Sequence, residues 1–490
     1  MTGPKSFGRG IITVGAPGKR ADRSLIGSNE ERIRTVPSER VKGENTELFA
    51  SVPVPKAILS LAVPTVISQL VFVIYNIADT FFIGQLGDPD QVAAATIALP
   101  FFIFGAAFSN LFGIGGSGVI ARNLGIGNVE RAKKCASFCL WTAVLLSLAY
   151  SIFMVFFHTG IFYAFGANEA SFDYCERYVF WTIELGTPVA IFGLTFAHLF
   201  RAEGYSKQAG FGSAAGGIIN IILDPIFIFG FDMEIVGAAV ATFLSHVIVA
   251  VYFIILYIRK RKKMTVTISP RYYSGKNRIC LDVITVGLPS FLMSFLAATS
   301  NAMTTHLMGA YSNGAIAGMG IAKKIDSIAF GISQGMAQGV LPLIAFNYGS
   351  GNKERMNRVI RTVFLYTVVI GLAGMAFLFF GAVPLARSFI DDAITVDYAA
   401  QFLKIFSVAC PLMAVNFMVI NVFQATGKRI APLILSFMRK GAMDIPLMIL
   451  FSRLIGESGI VLATPVSEVI GLAASVVVIL YMRRKQNNLI

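Results

Sequence analysis

Ala121-Arg-Asn-Leu-Gly-Ile-Gly-Asn-Val-Glu-Arg131 and Ala345-Phe-Asn-Tyr-Gly-Ser-Gly-Asn-Lys-Glu-Arg355 are two versions of one segment, 224 residues apart. The alignment continues on both sides. Pro64 matches Pro289, Asn76 matches Asn301, and Gly84 matches Gly309 at nearly the same offset. Arg201-Ala-Glu-Gly204 parallels Gln424-Ala-Thr-Gly427. The chain is one unit written twice, and a repeat of this length governs the rest of the reading.

The unit consists of membrane helices. Of 490 residues, 55% are hydrophobic and 14% charged, where soluble domains carry roughly a quarter charged residues. The apolar residues fall into about a dozen blocks, each long enough to cross a bilayer as a helix. This excludes a soluble enzyme, a coiled coil and a disordered chain. It also excludes a transmembrane barrel, whose strands are about ten residues long with alternating polarity. The blocks place helices near 56–85, 91–118, 134–158, 177–200, 208–230 and 236–258, then 281–309, 315–345, 358–382, 398–423, 432–455 and 460–482. The expected fold is an all-α polytopic membrane protein with twelve transmembrane helices in two six-helix repeats. Six is even, so both copies enter the membrane from the same side and the repeats are parallel. Two such halves with a site at their interface are an architecture of secondary transporters. The expected divisions are a disordered basic tail over 1–50, a first lobe over 51–258 and a basic linker over 259–280. A second lobe over 281–485 and a short tail over 486–490 complete the chain.

The net charge of +14 needs no nucleic acid to explain it. With the helices so placed, 33 of the 41 Lys and Arg fall on one side and about four on the other. Lys and Arg near helix ends collect on the cytoplasmic side. The expectation is a multi-pass protein of the cell inner (plasma) membrane with both termini cytoplasmic. The first fifty residues have no apolar central stretch and do not read as a signal peptide. Cys135, Cys139, Cys175, Cys280 and Cys410 are odd in number and mostly lie inside apolar blocks. They read as small packing residues, not as a disulfide framework or metal site. The Gly-x-Gly-Asn segments follow no strand and have no Walker lysine. They read as tight turns capped by Asn.

Ionisable groups inside a membrane are costly and mark function. Six acids are placed inside the helices, away from their ends: Asp79, Glu184, Asp224, Asp326, Asp444 and Glu468. Asp79 follows Tyr75 by four residues, and Asp224 follows Asn220 by four, so each acid shares a helix face with a polar partner. Pro225 removes a backbone N–H beside the second acid and leaves a carbonyl free nearby. A buried carboxylate must take up a proton or hold a cation such as Na⁺; the residues alone leave both open, along with a structural hydrogen-bond pair. In the second half Thr304 stands where Asp79 stands in the first, while Asp444 falls near the equivalent of Asp224. The first-half acids thus form an asymmetric, single ion site. Asp326 with Lys323 and Lys324 reads first as an intramembrane charge pair, and as a substrate-cavity candidate. His246, one turn after Thr242, is another.

Pro64 through Gly84, the paired Gly-x-Gly-Asn turns, and Arg201-Ala-Glu-Gly followed by Asn220 to Pro225 resemble the multidrug and toxic compound extrusion (MATE) family. The similarity covers nearly all of residues 50–485 and looks closest to the DinF-like branch. The resemblance implies a V-shaped pair of six-helix lobes. It also implies alternating-access antiport of cationic or amphipathic compounds against H⁺ or Na⁺. Carried over residue by residue, Asp79, Asn220, Asp224 and Thr242 are ion-coupling, Pro64 is where the first helix bends, and Tyr75 faces the cavity. The second-half acids of NorM-type members have no clear match. The expected partners are small amphipathic or cationic substrates and the bilayer; the expected state is a monomer, with no cofactor beyond H⁺ or Na⁺. A flippase for lipid-linked saccharides is the alternative. It would want more cavity cations than Lys323, Lys324, Arg439 and Lys440 supply. An intramembrane enzyme would need a clustered nucleophile, metal ligands or facing acid–base pair, which the sequence does not show.

Overall fold

In the computed structural model, residues 46–485 apart from Gly166 and Asn277 are described, and all of them belong to one unit, residues 37–490. Twelve long helices run through it, and no strand occurs among the described residues. The first six are α1 (Val54–Gly84), α2 (Asp90–Ile126), α3 (Val129–Tyr163), α4 (Glu169–Ala202), α5 (Ser206–Gly230) and α6 (Glu234–Lys260). The second six are α7 (Ile279–Met308), α8 (Gly314–Gly349), α9 (Lys353–Phe380), α10 (Ala393–Ala425), α11 (430–455) and α12 (Glu457–Tyr481). Eleven of these are long and apolar enough to span a membrane. The exception is α11, because every stretch of spanning length in it contains Arg439, Lys440 and Asp444. The helix count matches the sequence expectation, and most helices extend beyond their apolar blocks.

The turns of the repeated segment show why. Gly127 and Gly351 close α2 and α8 with φ of 84° and 73°, a conformation only glycine adopts without strain. The next residue then starts the following helix. Asn128 accepts from the Arg131 N–H at 3.0 Å, and Asn352 accepts from the Arg355 N–H at 3.0 Å. A side-chain cap of this kind satisfies one of the donors orphaned at a helix start. Helical geometry therefore begins in polar sequence, several residues before the apolar block.

The halves meet through backbone at the end that carries the basic loops. A Cβ on Gly335 would lie 2.7 Å from the Val66 Cα, and one on Gly339 would lie 2.7 Å from the Ala62 Cα. One on Gly115 would lie 2.5 Å from the Val283 carbonyl, and Gly287 abuts the Leu111 carbonyl. Small residues let helices approach this closely where no hydrophobic drive operates. Two polar contacts sit beside these crossings. Gln69 Nε2 donates to Gln334 Oε1 at 2.7 Å, and Asn110 Nδ2 donates to Ser294 Oγ at 2.9 Å. Under the repeat, Gln69 corresponds to Ser294 and Asn110 to Gln334, so α1–α8 and α2–α7 make one bond in two copies.

Pro64 lies inside α1, where it interrupts the hydrogen-bond ladder. The Ser68 hydroxyl donates to the Pro64 carbonyl at 2.7 Å and lies 3.2 Å from the Gly210 carbonyl of α5. A Cβ on Gly210 would lie 2.6 Å from the Pro64 carbonyl. The proline is thus cushioned by a hydroxyl and a glycine.

The expected tail needs correction at its end. Residues 1–45 lie outside the described residues, but Thr46–Ala50 form a helical turn. Phe49 is buried and stacks on Phe346 with centroids 5.3 Å apart. Arg355 donates to the Phe49 carbonyl at 2.8 Å and to the Val52 carbonyl at 2.6 Å. Burial of one aromatic ring and capture of two carbonyls outweigh the polar composition of this segment.

The linker after α6 is also held. Trp141 Nε1 donates to the Ile268 carbonyl at 2.9 Å and Ser137 Oγ to the Ser269 carbonyl at 3.0 Å. Glu203, just beyond α4, accepts from the Val266 N–H. Burial raises the Glu203 carboxyl to about 7. Its folded value exceeds the free one, so the folded state binds the extra proton, and the stability gained below the free value is lost as pH rises through about 7. Hydrogen exchange at 264–269 is expected to accelerate above pH 7 beyond the intrinsic rate. The excess should vanish in Glu203→Gln; an excess that persists in that variant refutes the assignment.

Candidate ion and substrate sites

The first half brings its sequence-predicted polar residues together. Asn220 Nδ2 donates to Asp224 Oδ1 at 3.1 Å and lies 3.2 Å from Thr242 Oγ1 of α6. The four-residue spacing puts Asn220 and Asp224 on one face of α5. Pro225 follows, and the helix continues as a π-helical turn over Ile226–Gly230. Such turns mark functional positions in many helices. Asn220 and Asp224 are fully buried. The Asp224 Oδ2, Asn220 Oδ1 and Asp79 Oδ1 atoms are buried with no hydrogen-bond partner. Asp79 lies close enough for its charge to act on that of Asp224. Both acids lie in the half of their helix away from the basic loops. Unpartnered carboxyl and amide oxygens with a hydroxyl are groups of the kind that accept a proton or ligate a hard cation. Among the described residues no group of three or more His, Cys, Asp or Glu forms a metal cluster.

Tyr178 was not singled out from the sequence. It is buried in α4, and the charges of Asp79 and Asp224 both act on its phenol, as they do on that of Tyr75. The apolar block begins at 177 in the sequence, which puts position 178 at a helix end. Two tyrosines therefore flank the carboxyls.

A cavity of about 510 Å³ lies between the halves. Tyr75, Asn220, His246 and Asp326 line it; Asp79, Asp224, Thr242 and Pro64 do not. Asn220 is thus the member of the polar group that touches both Asp224 and the cavity. His246 stacks on Phe102 with centroids 6.1 Å apart. Phe72, Phe330, Phe406 and Met413 supply apolar wall, which suits ligands of varied shape.

The second half is arranged differently. Lys323 and Asp326 both line the cavity, but the expected charge pair does not form. Lys323 Nζ donates to Asn301 Oδ1 at 2.9 Å, and among the described residues no ion pair joins Asp326 to Lys323 or Lys324. The sequence spacing put the lysine and acid on one helix; a facing amide on α7 captured the ammonium. Asp326 is left facing the cavity without a bonded partner. Deeper in this half, Arg439 Nε donates to Glu468 Oε1 at 2.6 Å and Lys440 Nζ to Asp444 Oδ2 at 3.2 Å. Asp444 also accepts from Ser300 at 2.7 Å and Ser467 at 3.3 Å. Thr304, the counterpart of Asp79, donates to the Ser300 carbonyl at 2.8 Å. This half has an internal cation for each of its deepest acids.

Twelve helices in two parallel repeats, a cavity between them and buried unpaired acids beside it define a membrane transporter. The family profile described as MatE matches residues 64–226 and again 289–450. The chain belongs to this family of multidrug and toxic compound extrusion transporters and is not an enzyme. The starts of the two matches are 225 residues apart, which reproduces the repeat seen in the sequence. The multidrug export protein MepA of Staphylococcus saprophyticus is 31% identical over 90% of this chain and 97% of its own. The MepA of Staphylococcus aureus is 30% identical over the same shares. Among solved structures, an outward-facing multidrug resistance MATE family transporter superposes with a TM-score of 0.83. It is 25% identical, over 90% of this chain and 98% of its own. A MATE transporter in the straight conformation gives 0.82 at 26% identity over the same shares.

Proposed function

We propose that this chain is a secondary active antiporter of the inner (plasma) membrane that exports organic cations and amphipathic drugs in exchange for H⁺ or Na⁺. One observation carries the reading. In the first half Asp224 is buried and Asp79 half-buried, each has a buried oxygen with no hydrogen-bond partner, and among the described residues no ion pair reaches either, while the second half pairs its deepest acids with its own Arg and Lys. Charge compensation at these two carboxyls comes from outside the protein, and the compensating ion is the one that couples. The basic loops are cytoplasmic, with both termini on that side. The halves then touch at the cytoplasmic end, and the state is outward-open.

The ion binds at Asp79, Asn220, Asp224 and Thr242, and α1 bends at Pro64 as charge there changes. Ion and drug need not touch. It suffices that each favours a different state of the pair of halves. Asn220, bonded to Asp224 and facing the cavity, relays the change. In the inward state the ion leaves, and the site again favours an organic cation in the cavity. Tyr75, His246 and the phenylalanines form the apolar and aromatic wall. No cofactor beyond the coupling ion is required, and the chain acts as a monomer. The names of its staphylococcal relatives support drug export. The flippase reading loses ground because Arg439 and Lys440 are engaged by Glu468 and Asp444.

The test is efflux of ethidium from proteoliposomes with an imposed pH or Na⁺ gradient. Flux that ignores both gradients refutes antiport; lipid scrambling without drug flux supports the flippase. Asp326 is the cavity acid that receives the substrate cation. Asp326→Asn is expected to raise the apparent KM for ethidium about 10- to 100-fold, the range of a roughly 1.5–3 kcal/mol bond to a charged group. The gradient dependence should remain. A neutral amphipathic substrate should be little affected, and an equal loss for both substrates would remove Asp326 from cation recognition.

A further inference from the structure

Aligning the two repeats residue on residue gives each first-half site residue a counterpart in the second half. Asn220 corresponds to Lys440 and Asp224 to Asp444, each 220 residues on. Thr242 corresponds to Ser467 and Asp79 to Thr304, each 225 residues on. The geometry follows the correspondence at the acid and the residue four before it, while Thr304 turns to the Ser300 carbonyl. In the first half the residue four before the acid donates to it at 3.1 Å; in the second the same position donates at 3.2 Å. Ser467, standing for Thr242, lies 3.3 Å from Asp444 Oδ1. A π-helical turn accompanies each acid, over Ile226–Gly230 in one half and Met438–Asp444 in the other. The chemical difference is an amide replaced by an ammonium and one carboxyl replaced by a hydroxyl.

We infer that the second half contains a second monovalent-cation site, a counterpart of the first, whose permanent occupant is the Lys440 ammonium. Five oxygens compose the rest of it: both of Asp444, with the hydroxyls of Ser300, Thr464 and Ser467 that donate to them. Lys440 reaches it from the cavity wall. The charged groups packed around are Lys323 and Asp326 of α8, Arg439 of α11 and Glu468 of α12. Arg439 and Glu468 bond each other, and Lys323 bonds Asn301. Lys440 is therefore the cation bonded directly to Asp444. The two deepest acids of this half, Asp444 and Glu468, each have an ion-pair partner, whereas among the described residues no ion pair reaches Asp79 or Asp224. A tethered ammonium cannot exchange with the medium, so one half is held permanently in its ion-loaded form. The transporter then couples one site per cycle although its fold encodes two.

This rests on the ion-site reading of the first half, and cation counts on the full-length protein separate the two. The measurement is proton uptake by purified protein after a pH jump, followed with an indicator dye, and radiolabelled Na⁺ binding at fixed pH. Lys440→Asn is expected to bind one more cation, H⁺ or Na⁺, than the unchanged protein. Lys440→Asn/Asp444→Asn should return the count to the original. In an Asp79→Asn/Asp224→Asn background the first-half count should vanish while the extra cation persists. Persistence of the original count in that background refutes the first-half reading alone. Equal counts for Lys440→Asn and the unchanged protein with both ions overturn the second-site inference. If Lys440→Asn fails to fold, acetylation of Lys440 by acetic anhydride decides. Asp444→Asn should speed it several-fold by releasing the ammonium, and an unchanged rate overturns the inference.

Discussion

Asp224→Asn is expected to abolish gradient-driven efflux while leaving a folded, membrane-inserted protein. The substituted amide keeps the size of the carboxyl, and its oxygen can still accept from Asn220 Nδ2, now 3.1 Å away. What disappears is the charge that makes an external cation necessary. Coupling free energies of roughly 1–3 kcal/mol correspond to about 5- to 150-fold in affinity. Removing the coupled group should therefore drop accumulation against a gradient to background. Downhill exchange of ethidium across a membrane with no ion gradient should survive, because the cavity wall is unaltered. Asp79→Asn should act in the same direction. It is not symmetric with Asp224→Asn, since Asp224 is bonded through Asn220 to Thr242 and Asp79 has a buried oxygen with no partner. Proteoliposomes carrying each variant, with and without an imposed pH or Na⁺ gradient, give the comparison. Gradient-driven flux equal to that of the unchanged protein in Asp224→Asn removes the residue from the coupling site.

The sequence carried the helix number, the repeat and the two acids because each depends on local spacing. Gly127 and Gly351 are legible since a positive φ at a helix end selects glycine, and an Asn cap follows at once. Asn220 beside Asp224 is legible from the four-residue rise of a helix. What was not legible depends on neighbours far along the chain. Tyr178 approaches the acids only because α4 packs there. Lys323 abandons Asp326 for Asn301, a choice between a residue three positions away and one on another helix. Phe49 looked like the end of a solvated tail until Phe346 and Arg355 came to meet it. The resemblance between Thr242 and Ser467 needed the packing of α6 on α5 and of α12 on α11. The helix over 432–455 was legible despite its three central charges, but their pairing was not: Lys440 meets Asp444 within α11, while Arg439 meets Glu468 of α12.

The pair Arg439 and Glu468 should show the largest stability effect in the protein. Nε and Oε1 are 2.6 Å apart with both side chains buried, and the guanidinium lies 4.3 Å from the centre of the Phe417 ring. Asn416 donates to Glu468 Oε2 at 2.8 Å, so the carboxylate is fully engaged. Glu468→Gln leaves a buried guanidinium without its counter-charge, and breaking one member of such a pair costs about 3–5 kcal/mol. Arg439→Met leaves the carboxylate unpaired and should cost a similar amount. The two losses should not add. Arg439→Met/Glu468→Met removes both charges together and should recover most of the stability, because the desolvation cost of two buried ions no longer arises. The exposed pair Arg358–Glu354, at 2.9 Å, is the control: Glu354→Gln should change stability by about 1 kcal/mol or less. Thermal unfolding of the detergent-solubilised variants, arranged as a double-mutant cycle, supplies the measurement. A double variant as unstable as the sum of the singles would show that the residues act independently. Recovery in the double variant, with gradient-driven efflux retained, would mean that these charges serve the packing of α11 on α12 and not the coupling ion. That outcome is required if the second half is neutral by construction.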